Sequence, residues 1–471
     1  MNKYRKLIIN SGIFTIANFG TKLLNIIFVP LYTYWLSTSQ YGTVDLTTTT
    51  INLLAPLAML GMSDAVMRFA FDRNVKRNEL ISSAFYVFVV ISIILSITSA
   101  VIAFVIPAKA WILGKYLGIF LLILFSQNIN SILAQYHRGI GNVKIFAING
   151  ILITLVQILM NVLTLAILKL GVFGYLWSLF VSYILPSMYL VIKDSLWKII
   201  RLEFHNNTLI RSMLIYTLPL IPTNMMWWVM NLSSRYIIVG SLGVAANGIF
   251  AVSNKIPTII NLLNTIFQQA WQMSAIEEYN DSDQETGFIS SVYEYFVLFM
   301  VLGTSGIMIF VYPIVAYTFS SDYFSSLKYI PFLLIAAMFS SFAGFLGTNY
   351  VATKNTIGAL KTSFIGAIIN VILTFILIKN FGLAGVAYAM MIAYFITWLY
   401  RIFDTKKLVG IGKLKINLKL SIFMLLINGI LVSRIHTLLS MFISLLFLAC
   451  MVLLNVSDIY KIFRSMKKIR G

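Results

Sequence analysis

Residues 7–36, LIINSGIFTIANFGTKLLNIIFVPLYTYWL, decide the fold class. The stretch is almost wholly apolar and, at about 1.5 Å of rise per residue, is long enough as a helix to cross a hydrocarbon core of roughly 30 Å. Ser11, Thr15, Asn18, Lys22 and Asn25 interrupt it at spacings of 4, 3, 4 and 3, which puts all five on one helix face. Lys22 then falls near the bilayer midplane. Insertion scales set the cost of a central ammonium at about 2.5 to 3.5 kcal/mol, so such a residue faces a bundle interior or a watery cavity.

The rest of the chain has the same character. Of 471 residues, 59% are hydrophobic and 11% charged, and long apolar runs recur throughout. Runs of this length without period-2 alternation argue against a transmembrane β-barrel and predict an all-α polytopic membrane protein. Fourteen spans are expected, near 8–35, 42–69, 80–106, 111–137, 145–168, 173–192, 210–238, 246–272, 288–318, 329–351, 357–378, 382–402, 418–434 and 437–456. The basic opening Met1–Lys6 is like that of a signal peptide. The apolar segment behind it is too long and has no small-x-small cleavage site, so it is expected to remain as span 1.

The net charge of +20 would suit a nucleic-acid partner, but most of the 35 Lys and Arg fall on one side once the N-terminus is placed in the cytoplasm. The basicity is therefore read as topological, with both termini cytoplasmic and no nucleic acid bound. Glu277, Glu278, Asp281, Asp283 and Glu285 form an acidic loop read as solvated surface, and His137 is read as a loop histidine. Cys450 stands alone in an apolar run, and the chain has no His/Glu metal set, G-x-x-x-x-G-K-[ST] loop or nucleophile elbow. No metal, no nucleotide cofactor and no catalytic centre are expected.

The chain repeats itself. Asn161-Val162, Lys169, Gly171, Gly174 and Tyr183 recur as Asn370-Val371, Lys379, Gly382, Gly385 and Tyr394, and Ile51-Asn52-Leu53-Leu54 recurs as Ile260-Asn261-Leu262-Leu263. Each copy holds an even number of spans, so both enter the membrane in the same orientation, related by an axis along the membrane normal. The expected division is a six-helix lobe over 1–200, a second over 201–404, and a basic linker, spans 13 and 14 and a cytoplasmic tail over 405–471.

The second copy opens as the first does. Span 7 carries Asn224, Trp228, Asn231 and Arg235, and span 8 carries Asn254, Thr258, Asn261, Thr265 and Gln268, both at helical spacing, with Lys255 on the flank. Span 2 adds Asp45, Thr48 and Asn52 on one face, then Asp64 and Arg68 one turn apart. Pro30, Pro56, Pro219, Pro222 and Pro257 interrupt these same spans, and broken helices at corresponding places of two halves point to a substrate site. Spans 1, 2, 7 and 8 are therefore expected to line one cavity, with Lys22, Asn18, Asn25, Asn52, Arg68, Arg235, Lys255 and Asn261 as substrate contacts. Asp45 and Asp64 are the coupling or gate residues. Plainer roles fit some of them too. Lys22 would serve as a structural partner of Asp45 or Asp64, Asp64 and Arg68 as a structural ion pair or topology anchor near the cytoplasmic end, Arg235 as a snorkelling cation, Asp45 as an outer-end charge, and Trp227 and Trp228 as packing or interface aromatics.

Tyr41-Gly42 leading into span 2, Ser63-Asp64-Ala65-Val66-Met67-Arg68-Phe69 at its end, Gly141-Asn142 and Lys144 before span 5, and Asn161 followed by Leu170-Gly171-Val172-Phe173-Gly174 carry a resemblance. They resemble the polysaccharide-export branch of the multidrug/oligosaccharidyl-lipid/polysaccharide superfamily, the Wzx-type flippases of bacterial cytoplasmic membranes, and more distantly the lipid II flippases. The likeness covers roughly residues 1–404. It implies two six-helix lobes around a central cationic cavity that opens alternately to each side, and a polyprenyl-pyrophosphate-linked oligosaccharide as substrate. Lys22, Arg68 and Lys255 match in type and approximate place the cations of the lipid II flippases. No cofactor is expected; if a proton or sodium gradient drives the cycle, a titrating carboxylate in the cavity is its handle, and Asp45 is the candidate. Membrane lipids, a polymerase and other polysaccharide-assembly proteins would be partners, and spans 13 and 14 would cradle the lipid tail. Two other classes stay open: a drug or metabolite antiporter of the same superfamily, which would present an acidic, apolar cavity, and a membrane glycosyltransferase or polymerase, which would need a catalytic acid in an outer loop where Asp322 stands almost alone.

Overall fold

The computed structural model describes residues 20, 24, 26–72, 74–105, 114–219, 221, 225, 228–229, 232–265, 267–268, 288–352, 356–409 and 414–461. Among the described residues every regular element is helical and no strand occurs. In lipid a backbone must satisfy its own polar groups, and helices do so within one segment. Eight described helices are long and apolar enough to cross a membrane, nine if a bent pair in span 2 counts as one. One of them, Thr356–Val409, would measure about 80 Å if straight, far beyond a single crossing. Gly382, at φ 56° and ψ −136°, breaks it into two. The chain is a multi-pass membrane protein.

The chain forms two compact units, Met1–Trp228 and Val229–Gly471. The first contains α1 (Val29–Trp35), α2 (Thr38–Leu57), α3 (Met62–Phe69), α4 (Arg77–Val105), α5 (Leu117–Gly139), α6 (Val143–Asn161), α7 (Gly171–Lys193) and α8 (Asn207–Thr217). Local chemistry starts two of these helices. Ser37 Oγ accepts from Gln40 N while Gln40 Oε1 accepts from Ser37 N, a capping box for α2. Asn206 caps α8 by accepting from the backbone of Thr208 and Leu209.

Met62, Ala65 and Val66 of α3 pack with Leu80, Ile81 and Ala84 of α4, Ile132 and Leu133 of α5, and Met213 of α8. The outward face of α4, with Ile93, Ile94, Ile97, Val101 and Phe104, is exposed. Apolar residues outside and polar ones inside is the pattern expected when the solvent is lipid. The interior glue is an amide pair: Asn130 Nδ2 donates to Asn149 Oδ1 at 3.1 Å, Asn149 Nδ2 returns to Asn130 Oδ1 at 3.0 Å, and Asn130 also donates to Ser187 Oγ. One bond set thereby ties α5, α6 and α7.

The second unit contains α9 (Ser234–Leu242), α10 (Val244–Ser253), α11 (Phe288–Thr318), α12 (Ile330–Ala352), α13 (Thr356–Val409), α14 (Ile416–Arg434) and α15 (Leu439–Leu454). Its core is aromatic. Tyr293, Phe296, Phe339, Phe342, Phe345 and Trp398 interlock with ring centroids 5.1 to 6.4 Å apart, and Trp398 Nε1 donates to Tyr293 Oη at 2.5 Å. α14 and α15, the expected spans 13 and 14, are fastened by polar contacts. Ser444 Oγ donates to Asn428 Oδ1, and Asn455 Nδ2 to Ser421 Oγ. Lys415, at the foot of α14, lies 2.9 Å from both Glu294 of α11 and Asp458 beyond α15.

The internal repeat has a backbone counterpart. Gly171 and Gly382 both sit at φ +56°, each turning the chain from one span into the next. Three residues on, a Cβ at Gly174 would stand 3.1 Å from the Thr164 carbonyl oxygen, and one at Gly385 would stand 2.2 Å from that of Leu377. The paired G-x-x-G therefore encodes a left-handed residue followed by a close backbone approach, and glycine alone supplies both without strain.

Candidate functional site

Span 2 is broken. α2 and α3 meet at 52°, joined through Leu60 at φ +48° and Gly61 at φ +70°. Pro56 lies just before the break and has no N–H to offer the carbonyl of Asn52 four residues back. The far side of the kink is held by α8, where Thr217 Oγ1 donates to the Leu60 carbonyl at 2.7 Å. A Cβ at Gly61 would stand 2.9 Å from Thr217 Cβ, so this contact requires the glycine as well as the turn. The sequence expectation that proline marks broken spans holds here.

The polar residues of α2 divide into two sets. Thr43, Thr47, Thr48 and Thr50 return their hydroxyls to carbonyls four residues back in the same helix, so they are satisfied internally. Asp45 is half-buried, and Asn52 is exposed. Trp228 Nε1 donates to the Thr49 carbonyl at 3.1 Å, which commits its indole to packing against α2. At α3 the expected i,i+4 ion pair of Asp64 and Arg68 does not form. Asp64 is half-buried and interacts with the Arg138 guanidinium of α5, while Arg68 is exposed.

In the second unit the helix of span 8 stops at Ser253, passes through a turn over 254–257, and resumes at Thr258. Pro257 closes that turn. Lys255 lies within it, half-buried, its N–H donating to the Val252 carbonyl and its carbonyl accepting from Thr258 N. The stripe predicted beside it is present: Asn254 Nδ2 donates to Phe250 O, Thr258 Oγ1 to Asn254 O, and Thr265 Oγ1 to Asn261 O. Asn261 is exposed, as is its repeat counterpart Asn52. Arg235 is half-buried in the first turn of α9. Lys22, Asn18, Asn25, Asn224, Trp227, Asn231 and the acidic loop lie outside the described residues.

An exposed amide within a spanning helix is stable only against water or a polar ligand, because hydrocarbon offers it no hydrogen bond. Asn52 and Asn261 thus mark a wetted face on each unit, next to a proline-induced break. Amides for hydroxyls and a cation at Lys255 suit a polar, anionic solute. Among the described residues no group of three His, Cys, Asp or Glu side chains could hold a metal.

Two charged sites escaped the sequence reading. His137, expected in a loop, is fully buried in the last turn of α5 with Nδ1 3.1 Å from Asp194 Oδ2. Arg401, at the end of the expected span 12, is only 8% exposed. It donates through Nε to Thr362 Oγ1 at 3.0 Å, through one Nη to the Ala343 carbonyl at 2.7 Å and through the other to Ser363 Oγ at 2.9 Å, with its guanidinium 5.9 Å from the Tyr350 ring centroid. Gly347 makes room for it, since a Cβ there would stand 2.8 Å from an Nη. Neither site had a signal in one-dimensional spacing, because the partners come from separate helices.

Comparison with known proteins places this geometry. The fold is similar to that of the lipid II flippase MurJ in an inward closed conformation, with a TM-score of 0.71 at 17% identity over 96% of this chain and 99% of that one. It is also similar to a multidrug resistance MATE family transporter of the MOP superfamily, in its inward-facing conformation (TM-score 0.63, 15% identity, 83% of this chain and 96% of that one) and its outward-facing conformation (0.57, 15%, 86% and 97%). These neighbours are transporters, not enzymes. A curated relative, an uncharacterized membrane protein of Methanocaldococcus jannaschii, is 35% identical over 92 residues, 19% of this chain; the chain spans 18% of that relative's length. The family described as "Polysaccharide biosynthesis protein" matches residues 7–272, more than half the chain, so the protein belongs to that family.

Proposed function

We propose that the protein is a flippase that carries a polyprenyl-pyrophosphate-linked oligosaccharide across a bacterial cytoplasmic membrane, from the cytoplasmic to the outer face, by alternating access. The observation that carries the reading is the pair of exposed amides, Asn52 and Asn261, at matching positions of two broken spans, with Lys255 in the second break. A headgroup of pyrophosphate and sugars cannot enter hydrocarbon without losing many hydrogen bonds, whereas its polyprenyl tail stays in lipid at no such cost. The chain therefore needs only to offer donors and acceptors along a wet path and to change which side that path faces. Cations meet the phosphates, amides meet the hydroxyls, and no covalent step is involved.

Membership of the polysaccharide biosynthesis family supports this substrate class. The likeness to multidrug transporters favours a second reading, an antiporter for cationic compounds, but Lys255 in the break opposes a cationic solute. Asp45 is the proposed handle for a proton or sodium gradient. Reconstitution into liposomes separates the readings. The flippase reading expects protein-dependent translocation of a fluorescent polyprenyl-diphosphate sugar and no efflux of cationic dyes, and loss of translocation on replacing Asn52 and Asn261 together by Leu. Dye efflux without translocation would establish the antiporter instead.

A further inference from the structure

The second unit contains a cavity of about 340 Å³ that plays no part in the proposed path. Tyr312 and Ala316 of α11, Phe324, Ser325 and Lys328 of the 3₁₀ helix that follows it (Ser321–Lys328), and His436 of the turn between α14 and α15 line it. Residues three apart eclipse on a 3₁₀ helix, so Ser325 and Lys328 lie one above the other on its face. The Ser325 hydroxyl is buried without a hydrogen-bond partner, an orphan of the kind that signals a missing ligand or water. Lys328 is exposed and makes no ion pair, and the Tyr312 hydroxyl makes no hydrogen bond, among the described residues. The His436 ring is fixed by a 2.9 Å contact between Nε2 and the Ser433 carbonyl. Among the described residues no carboxylate lines the cavity; Asp322 precedes it on the same 3₁₀ helix and Arg434 ends α14.

Ala316, Phe324 and Leu327 supply an apolar part of the lining, and Phe324 and Tyr317, the neighbour of Ala316 in sequence, are exposed. Exposed aromatics of this kind sit at the level of lipid headgroups. We propose that this cavity binds the phosphate of an anionic phospholipid, with Lys328 as counter-charge, the Ser325 and Tyr312 hydroxyls as donors to the phosphate oxygens, and Ala316 and Phe324 against the glycerol. The size lies in the range of small-molecule sites, and the apolar part of the lining favours a lipid over free phosphate. A lipid held there bridges α11 and the turn joining α14 to α15.

The test uses the full chain in nanodiscs of phosphatidylcholine with a minor share of phosphatidylglycerol, and native mass spectrometry of the lipids retained on release. Wild-type protein is expected to retain phosphatidylglycerol above its share. Lys328→Gln should lose that preference by about fivefold, Ser325→Ala should weaken it, and Lys328→Arg should keep it. Lys379→Gln, at another exposed lysine, should leave it intact. Thermal stability in detergent should be equal for the Lys328 and Lys379 variants, since both side chains are exposed. Unchanged retention in Lys328→Gln, an equal loss in Lys379→Gln, or complete displacement of the lipid by millimolar inorganic phosphate would each overturn the proposal.

Discussion

At the scale of single residues, the unexpected finding is how charges are housed in the second unit. Arg401 is buried among two hydroxyls, a carbonyl and an aromatic face. A guanidinium suits this because its fixed fork reaches three acceptors in different directions, which an ammonium on one stem does not. Arg401→Gln would leave those acceptors without donors, at a cost on the order of 3 kcal/mol. Its unfolding temperature in detergent should fall clearly, and Arg401→Lys should recover only part of the loss. A wild-type value for Arg401→Gln would show that the cluster adds nothing to stability. Lys415 gives a pH prediction. Burial alone would lower its pKa, but the Glu294 and Asp458 carboxylates more than offset this and hold it above the ordinary lysine value. A raised folded-state pKa stabilises fully below the unfolded value and is lost as pH rises through the folded one. The wild type should therefore lose the contribution of this latch only above about pH 10.4, and Lys415→Met should remove it at every pH. Comparing unfolding temperatures of the two proteins between neutral pH and pH 11 checks this: their difference should be constant at first and shrink only at the alkaline end.

At the scale of elements, backbone conformation and close contacts rank the glycines. A non-glycine residue in the left-handed region costs about 1 to 2 kcal/mol. Gly382→Ala should incur little more than that, since no atom lies within 4 Å of its Cβ position. Gly171→Ala should cost more, because Gln40 Nε2 stands 2.8 Å away on a side chain already held by the Ser37 capping box. Gly385→Ala meets the Leu377 carbonyl at 2.2 Å and should be the most damaging, so membrane abundance should fall in the order Gly382→Ala, Gly171→Ala, Gly385→Ala. Equal abundance of all three would contradict the account of the paired turns. These glycines also show what sequence reveals. The repeat at Gly171 and Gly382 was legible because the same turn is needed twice, and the breaks at Pro56 and Pro257 because proline withholds a donor wherever it stands. The Thr217 clamp on Leu60 and the Arg401 cluster were not legible, since each joins helices far apart in sequence and neither residue departs from its local pattern. The two spans expected at 357–378 and 382–402 were legible as well: they run through Thr356–Val409, and Lys379-Asn380 and the turn at Gly382 separate them.

At the scale of the whole molecule, fold class and membrane residence follow from hydropathy, and the all-helical structure agrees with it. Orientation rests on the Lys/Arg asymmetry. Reporters fused after Lys76, Arg201 and Lys413 should read cytoplasmic, and those after Ser39 or Lys169 external; a cytoplasmic signal at Ser39 would move Lys22 away from the midplane. The candidate site was legible in part. The exposed amides Asn52 and Asn261 and the position of Lys255 in a helix break fit a polar path, whereas Trp228 is committed to the Thr49 carbonyl. The proposed function depends most on cations meeting a pyrophosphate. The direct measurement is the outer-face appearance of the lipid-linked oligosaccharide in the Lys22→Ala, Lys255→Ala double variant, normalised to protein in the membrane. The account predicts normal abundance with transport abolished, and partial transport in Lys22→Arg because the charge survives while its geometry changes. Wild-type transport by the double variant at normal abundance would contradict it.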